Sequence, residues 1–448
     1  MADAVLLRAA GALVIAAAAL SLVLVPGIPT YDPFAWIIWG REITEGDLVT
    51  SLGPSWKPLP VAFTTVFALF GDAAPWLWLL VARAGAIAAL IPLWRLVLRL
   101  GGGLTGAVAA CAALVLAPWW LWGAMLGNSE GLMVFFVLAS IERIAAGRHR
   151  AGLLLGCGAA LLRPESWPFL AVYGLWLLWR RRERPELVIG AGAFVLACWV
   201  LPEWWGSGDP WRAANRARTD IGPRAPTNAD SPAVAVFGDA LEMLTIPAFA
   251  GLAACAAFAV RERDRLIGSL VALSGAWLLV VALMTRGGFS GNQRYLIVPV
   301  VLLVIVAATG AGRLLDLLAP RAWPAALTAA LLFAVPSLGS AHKTWDRAAY
   351  EERLTRALPG VVERSGGAAA VRSCGTASTG RYLVPQLAWA LHLHQPEVSQ
   401  VARSPGTVFA VRTTATSHWG PRRGVISPRP VAVGFGWRVF QRCRESAS

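Results

Sequence analysis

Charge is what this chain lacks most. Asp, Glu, Lys and Arg supply 15% of its residues, against roughly 25% in a typical soluble domain, while apolar side chains supply 56%. A single water-soluble core is thereby excluded. About ten apolar stretches approach the ~20 residues that a helix needs to cross a bilayer, so lipid is the solvent for most of the chain. Lysine is scarcer still, present only at Lys57 and Lys343; with the abundant Ala and Gly this reads as coding bias and carries no function by itself. A cleavage site is missing too. Met1 to Pro26 places Arg8 ahead of a long run of Ala, Val and Leu, but the run has the length of a full span and is expected to stay as a first helix with its N-terminus inside. No internal repeat is evident, which weighs against an inverted-repeat transporter.

What is present fits a polytopic membrane protein. The net charge of +14 comes from arginines placed mostly at the ends of apolar runs, a positive-inside pattern and not a nucleic-acid footprint. The 22 tryptophans suit the headgroup level. Of six cysteines, Cys111, Cys157, Cys198 and Cys255 lie in apolar segments and are expected as small core residues. Cys374 and Cys443 lie in the polar C-terminal part and are candidates for one disulfide in an oxidising compartment.

In chain order, a polar loop from Tyr31 to Pro60 carries Asp32, Arg41, Glu42, Glu45, Asp47 and Lys57 among aromatic rings. Residues 60–70 are expected along the surface, and 75–98 across the membrane with Arg83 inside the span, either snorkelling or serving a partner or function. Spans follow at 104–118 and 132–144, joined by the basic-free turn Gly127-Asn128-Ser129-Glu130-Gly131. Segment 151–179 is basic at both flanks and interrupted by Arg163-Pro164-Glu165, which predicts two short legs with a turn sunk in protein and facing a polar cavity. After the span 187–205, a long loop holds Arg212, Arg216, Arg218 and Arg224, which can bind an anion or stay solvated. Spans at 240–260 and 266–284 lead to a glycine-bearing turn from Arg286 to Tyr295, whose Arg286, Asn292, Gln293 and Arg294 can donate to a phosphate or sugar. Spans at 296–310 and 323–338 complete the membrane part. The expected architecture is an all-α polytopic bundle of about eleven transmembrane or half-spanning helices over 1–340, followed by a small α+β extracytoplasmic C-terminal domain over 341–448.

The order of these features resembles the GT-C superfamily of membrane glycosyltransferases. It combines Asp32 in an outer first loop, Ser55-Trp56-Lys57-Pro58-Leu59 opening a surface helix, Glu130 in a short outer turn, the Arg163-Pro164-Glu165 hairpin and Arg294-Tyr295 before a late helix. The likeness is to polyprenyl-phosphate-sugar-dependent protein mannosyltransferases, aminoarabinose transferases and actinobacterial arabinosyl- and mannosyltransferases, and it covers most of Met1 to Leu338. Pro33 stands where many members have a second acid, and Leu59 where one branch has a second proline.

The resemblance implies a glycosyltransferase of the cell membrane with its site on the extracytoplasmic side. Its partners would be a polyprenyl-phosphate sugar donor, a lipid, glycan or protein acceptor and the bilayer, without nucleic acid. Asp32 is the candidate catalytic base, and Lys57, Arg286 and Arg294 the candidate donor-phosphate ligands. Tyr31, Trp36, Trp56, Glu130, Arg163, Glu165 and Tyr295 are candidate substrate-binding residues, with Glu165 equally suited to a salt bridge with Arg163. The resemblance fixes no cofactor and leaves a divalent metal (Mg or Mn) open. Two other readings stay open: a lipid-linked glycan flippase, which would carry its polar groups toward the midplane and both faces, and an inactive GT-C scaffold.

Overall fold

The computed structural model describes residues 2–219, 221–222, 225–262, 264–318, 323–411 and 429–443. Helix α1 (Ala2–Leu24) is followed by α2 (Tyr31–Glu45), within the first polar segment, and α3 (Pro58–Ala68), which covers most of the segment 60–70. α3 opens on Pro58, whose missing N–H is harmless in a first turn. Next, α4 (Ala74–Ala88) and α5 (Leu90–Arg99) form one apolar span from Gly71 to Arg99. α6 (Gly103–Val115) and α7 (Pro118–Met125) are two apolar helices that meet at a bend of 60°. The bend sits where Pro118 drives Ala117 out of the helical region, to ψ 121°.

Beyond α8 (Glu130–Ala145), the expected hairpin is present as α9 (His149–Ala160) and α10 (Trp167–Trp179). Arg163 between them is extended, φ −151° and ψ 129°, because a residue before proline avoids the α region. α11 (Pro185–Ser207) and the short α12 (Arg212–Thr219) come next. The expected span at 240–260 is instead two helices, α13 (Pro232–Glu242) and α14 (Ile246–Glu262), meeting at 96°. α15 (Arg265–Arg286) and α16 (Ile297–Leu318) are full-length spans. α16 runs eight residues past the expected end at 310 and is buried around most of its circumference, as an all-apolar helix should be. Glycine lets its neighbours approach: a Cβ on Gly312 would lie 1.9 Å from the Gly102 carbonyl oxygen, and one on Gly310 2.1 Å from that of Gly251. Backbone-to-backbone seating of this kind is what small residues allow between membrane helices.

Arg83 is neither snorkelling nor facing substrate. It is 4% exposed and donates to the carbonyls of Ser21, Val25 and Pro26 at the end of α1, of which those of Val25 and Pro26 lie beyond the helix and have no intrahelical donor. At the end of the bundle remote from that turn, Arg95 pairs with Glu142, Arg99 donates to the Ala145 carbonyl, and Arg313 pairs with Asp264 and donates to the Leu100 carbonyl.

α17 (Trp323–Arg364) passes residue 341 without a break and runs into the C-terminal domain. There α18 (Gly367–Cys374), β1 (Thr376–Thr379), α19 (Val384–Leu391), β2 (Gly406–Val411), β3 (Ala432–Val433) and β4 (Trp437–Arg442) form a mixed sheet of order β1-β2-β4-β3. β1 and β2 are parallel, while β4 is antiparallel to both β2 and β3. Leu358, Val361, Leu387, Phe409 and Trp437 build its core together with Ile38 of α2, so the domain is seated on the helix that begins at Tyr31. A disulfide joins Cys374 to Cys443. Peptide mapping without reductant is expected to recover these two cysteines in one linked species. The double change Cys374→Ser with Cys443→Ser is expected to destabilise the domain by about 2–4 kcal/mol. Two free thiols in protein from an oxidising compartment would contradict the pairing.

Candidate functional site

Two acidic helix starts meet one arginine. Asp32 lies in the first turn of α2 and Glu130 opens α8, positions where the helix dipole favours a carboxylate. Arg294 sits in the 3-10 turn Gln293–Tyr295, which Asn292 caps by accepting from the Arg294 backbone N–H at 3.2 Å. Its guanidinium donates from Nη1 to Asp32 Oδ2 at 2.7 Å and from Nε to Glu130 Oε1 at 2.6 Å. The same Glu130 oxygen accepts from Arg163 Nη2 at 2.5 Å. Arg163 also pairs with Glu165 at 3.4 Å and lies over the Tyr295 ring at 5.1 Å. Lys57, just before α3, donates to Ser129 Oγ at 3.0 Å and rests over the Trp36 ring at 4.8 Å.

Three cations thus face three carboxylates in a cluster that is largely withdrawn from water: Lys57, Glu130, Arg163 and Glu165 are each no more than 8% exposed. Arg163 and Arg294 are each paired with carboxylates there, as buried charges require, whereas Lys57 meets a hydroxyl and a ring. Lys57 is held least firmly in its charged form. Burial, then the neighbouring Arg163 and Arg294, push its pKa down to about 7, so its ammonium exchanges its proton near neutrality.

The loop that carries Lys57 is clamped from the other side. Glu203 of α11, fully buried, accepts from Thr50 Oγ1 at 3.1 Å and from Arg212 Nη1 at 3.1 Å, and Arg212 also donates to the Pro54 carbonyl. Trp56 Nε1 donates to the Cys198 carbonyl at 3.1 Å. These bonds fix the approach of the backbone to Lys57.

Two cavities adjoin the cluster. A polar one of about 540 Å³ is bordered by Tyr31, Asp32, Lys57, Arg163, Arg216, Ser290, Asn292, Arg294, Tyr295, Arg381 and Tyr382. A mostly apolar one of about 320 Å³ is bordered by Trp56, Trp167, Trp199, Trp211, Met284 and Phe289, with Glu165 at its edge. They share Ser55, Lys57, Arg163, Ala217 and Tyr295, so basic side chains stand at the junction of a polar and an apolar chamber.

Most of the residues singled out from the sequence converge here, with three corrections. Arg286 is exposed at the end of α15 and borders neither cavity. Trp36 is fully buried beneath Lys57 and against Trp78, so it supports the lysine and cannot stack on a ligand. Glu130 sits behind Arg163 and Arg294 and orients them without bordering either cavity. Of the loop arginines, Arg212 serves Glu203, Arg216 borders the polar cavity, and Arg218 lies over Phe289; Arg224 lies outside the described residues. Arg381 and Tyr382 went unnoticed in the sequence, where nothing in the C-terminal part marks them out. Among the described residues no three Asp, Glu, His or Cys side chains are grouped so as to hold a metal ion, and a guanidinium stands between Asp32 and Glu130.

No protein-family model matches the chain, and no curated protein sequence matches it either. Solved structures do. ArnT from Cupriavidus metallidurans bound to undecaprenyl phosphate superposes with a TM-score of 0.59 at 15% identity, covering 98% of each chain. The apo state of the same ArnT gives 0.55 at 16% identity, covering 96% of this chain and 98% of that one. Over nearly its whole length the chain has an ArnT-like fold.

Proposed function

We propose that this chain, built on the GT-C fold, is an integral membrane glycosyltransferase that moves a sugar from a polyprenyl-phosphate donor to an acceptor on the extracytoplasmic side. The observation that carries the proposal is the junction of the two cavities. An amphiphilic donor has an apolar chain, an anionic phosphate and a polar sugar in that order. The apolar chamber, the Lys57 and Arg163 junction, and the polar chamber with Asp32 run in the same order. That an ArnT of this fold is bound to undecaprenyl phosphate supports the same donor class.

The chemistry follows from the placement. The bond between the anomeric carbon and the phosphate oxygen breaks, and its electron pair leaves with the phosphate, whose growing charge Lys57 and Arg163 face. An acceptor hydroxyl attacks the anomeric carbon, and Asp32 takes its proton as general base. Arg294 holds Asp32 Oδ2 at 2.7 Å and so fixes the carboxylate at the cavity wall. The arginine distribution supports an outward-facing site, because Arg95, Arg99 and Arg313 gather at the end of the bundle away from the cluster.

The test is transfer of label by purified protein from a panel of radiolabelled polyprenyl-phosphate sugars; absence of transfer and of donor binding across the panel would overturn the proposal. A pH dependence is expected as well. Above pH 7 the free Lys57 is increasingly neutral, so binding of an anionic phosphodiester must first restore its proton. Donor affinity should therefore be flat below pH 7 and fall as pH rises above it, by up to about tenfold per unit. Calorimetric titrations in buffers of different ionisation enthalpy should show proton uptake, and Lys57→Met should abolish both effects. An affinity independent of pH from 6 to 9 would remove Lys57 from the phosphate site.

A further inference from the structure

Lys57 is placed by its backbone more than by its side chain. Its ammonium meets Ser129 Oγ and the Trp36 ring, contacts that a flexible four-carbon stem can reach from several positions. The residue is extended, φ −139° and ψ 109°, at the entrance to α3, so where its Cα stands depends on Trp56 and the loop before it. One turn of α11 holds that loop, by two means.

The first is a carbonyl without a helical donor. Pro202 lies inside α11 and has no N–H to give to the carbonyl four residues earlier. That carbonyl belongs to Cys198, and Trp56 Nε1 donates to it at 3.1 Å. The indole takes the place of the missing backbone donor. The second is the next residue, Glu203, which is 0% exposed. Thr50 Oγ1 and Arg212 Nη1 donate to its carboxylate, each at 3.1 Å, and the Trp56 backbone N–H lies within hydrogen-bonding reach of it. The Thr50 N–H donates to the Gly206 carbonyl at 2.9 Å, and Arg212 returns to the loop at the Pro54 carbonyl, 3.0 Å away. α11 thus holds both the ring and the backbone of Trp56, the residue bonded to Lys57. The same turn presents Trp199 and Val200 to the apolar cavity.

We propose that Pro202 and Glu203 are positioning residues for Lys57: acting through Trp56, they set its ammonium at the junction of the two cavities and so govern affinity for the donor phosphate. The inference rests on the assignment of that phosphate to Lys57. A role confined to the stability of α11 does not account for Pro202, since proline in a helix interior disfavours the helix and the carbonyl it frees is taken by Trp56 and not by α11. Supporting groups of this kind decide whether a binding side chain is held to the accuracy its ligand needs.

The test uses the full chain in lipid nanodiscs, labelled with ε-13C lysine, which marks two positions, Lys57 and Lys343; Lys57→Met identifies the first. NMR against pH reads the protonation midpoint of Lys57, about 7 in the wild type, and calorimetry reads affinity for undecaprenyl phosphate. Pro202→Ala returns an N–H to the Cys198 carbonyl, and Glu203→Gln weakens the hold on Arg212. Each is expected to loosen the loop, hydrate Lys57 and raise its midpoint by about one unit or more toward the ordinary lysine value, while weakening undecaprenyl phosphate about tenfold or more. Pro202→Ala should nonetheless be no less stable than wild type in thermal unfolding, an outcome that separates positioning from a structural role. In a Trp56→Phe background it should move the midpoint no further, because the bond it competes with is already gone. An unchanged midpoint in a folded variant overturns the role of that residue, and a full additional shift in the Trp56→Phe background overturns the route through Trp56. Should Glu203→Gln fail to fold, Pro202→Ala decides alone. A midpoint that moves while affinity for undecaprenyl phosphate holds would keep the placement of Lys57 by α11 and remove the donor phosphate from Lys57.

Discussion

Asp32→Asn is expected to lower the rate of sugar transfer by about 10²–10⁴-fold, the usual contribution of a positioned general base. The change is close to isosteric. Its amide oxygen can still accept from Arg294, and Arg294 keeps its 2.6 Å bond to Glu130, so the cavity should retain its shape. Donor affinity should change little, because the phosphate is assigned to the junction at Lys57 and Arg163 and not to Asp32. The cost in stability should also be small: the side chains of Asp32 and Arg294 are 20% and 34% exposed, a pair of the partly solvated kind worth about 1 kcal/mol or less. A large loss of rate with binding and stability preserved is therefore the expected signature. Equal transfer by wild type and variant from the same radiolabelled donor would remove Asp32 from the mechanism.

Glu130→Ala is expected to do the opposite, acting first on the structure. One oxygen of Glu130 accepts from Arg163 at 2.5 Å and from Arg294 at 2.6 Å, and its side chain is 5% exposed. Removing it leaves two guanidiniums facing each other in a poorly hydrated place. Breaking a buried pair from one side costs about 3–5 kcal/mol. Glu142→Ala provides the contrast: its partner Arg95 is 3.5 Å away with a side chain 45% exposed, and the expected loss is under about 1 kcal/mol. Denaturant unfolding in detergent, followed by tryptophan fluorescence, distinguishes the two, and equal midpoints would contradict the buried network. Transfer should fall in Glu130→Ala as well, since Arg294, which holds Asp32, and Arg163 at the cavity junction both lose the carboxylate that orients them.

The two predictions differ because the two acids were legible in the sequence in different ways. Asp32 could be found because a carboxylate in a polar loop beside aromatic rings, followed later by Lys57-Pro58, has a recognisable order. Glu130 was visible as an acid in a short turn, but its depth behind two arginines depends on how α8, the Arg163 turn and the Gln293–Tyr295 turn meet, and no local pattern encodes that. The Arg163-Pro164-Glu165 break was readable, since proline dictates the backbone of the residue before it. The 96° turn between α13 and α14 was not, because an apolar run looks alike whether it is straight or folded over. Arg286 and Arg294 are chemically equal in sequence and lie in one turn region; only the cap from Asn292 and the packing of α16 direct Arg294 inward. Arg381 and Tyr382 are brought to the cavity by the seating of a distant domain on α2, a long-range contact with no trace in their neighbours.

α17 leads into that domain as one helix of 42 residues, about 63 Å at 1.5 Å per residue, roughly twice the thickness of a bilayer's hydrocarbon core. Pro336 and Pro359 lie inside it, and each removes an intrahelical N–H donor at a point where a helix can bend. Helices tilt to match the thickness of the membrane around them. A change in tilt at the end of α16 is therefore absorbed in part by α17 itself before it reaches the domain that carries Arg381 and Tyr382.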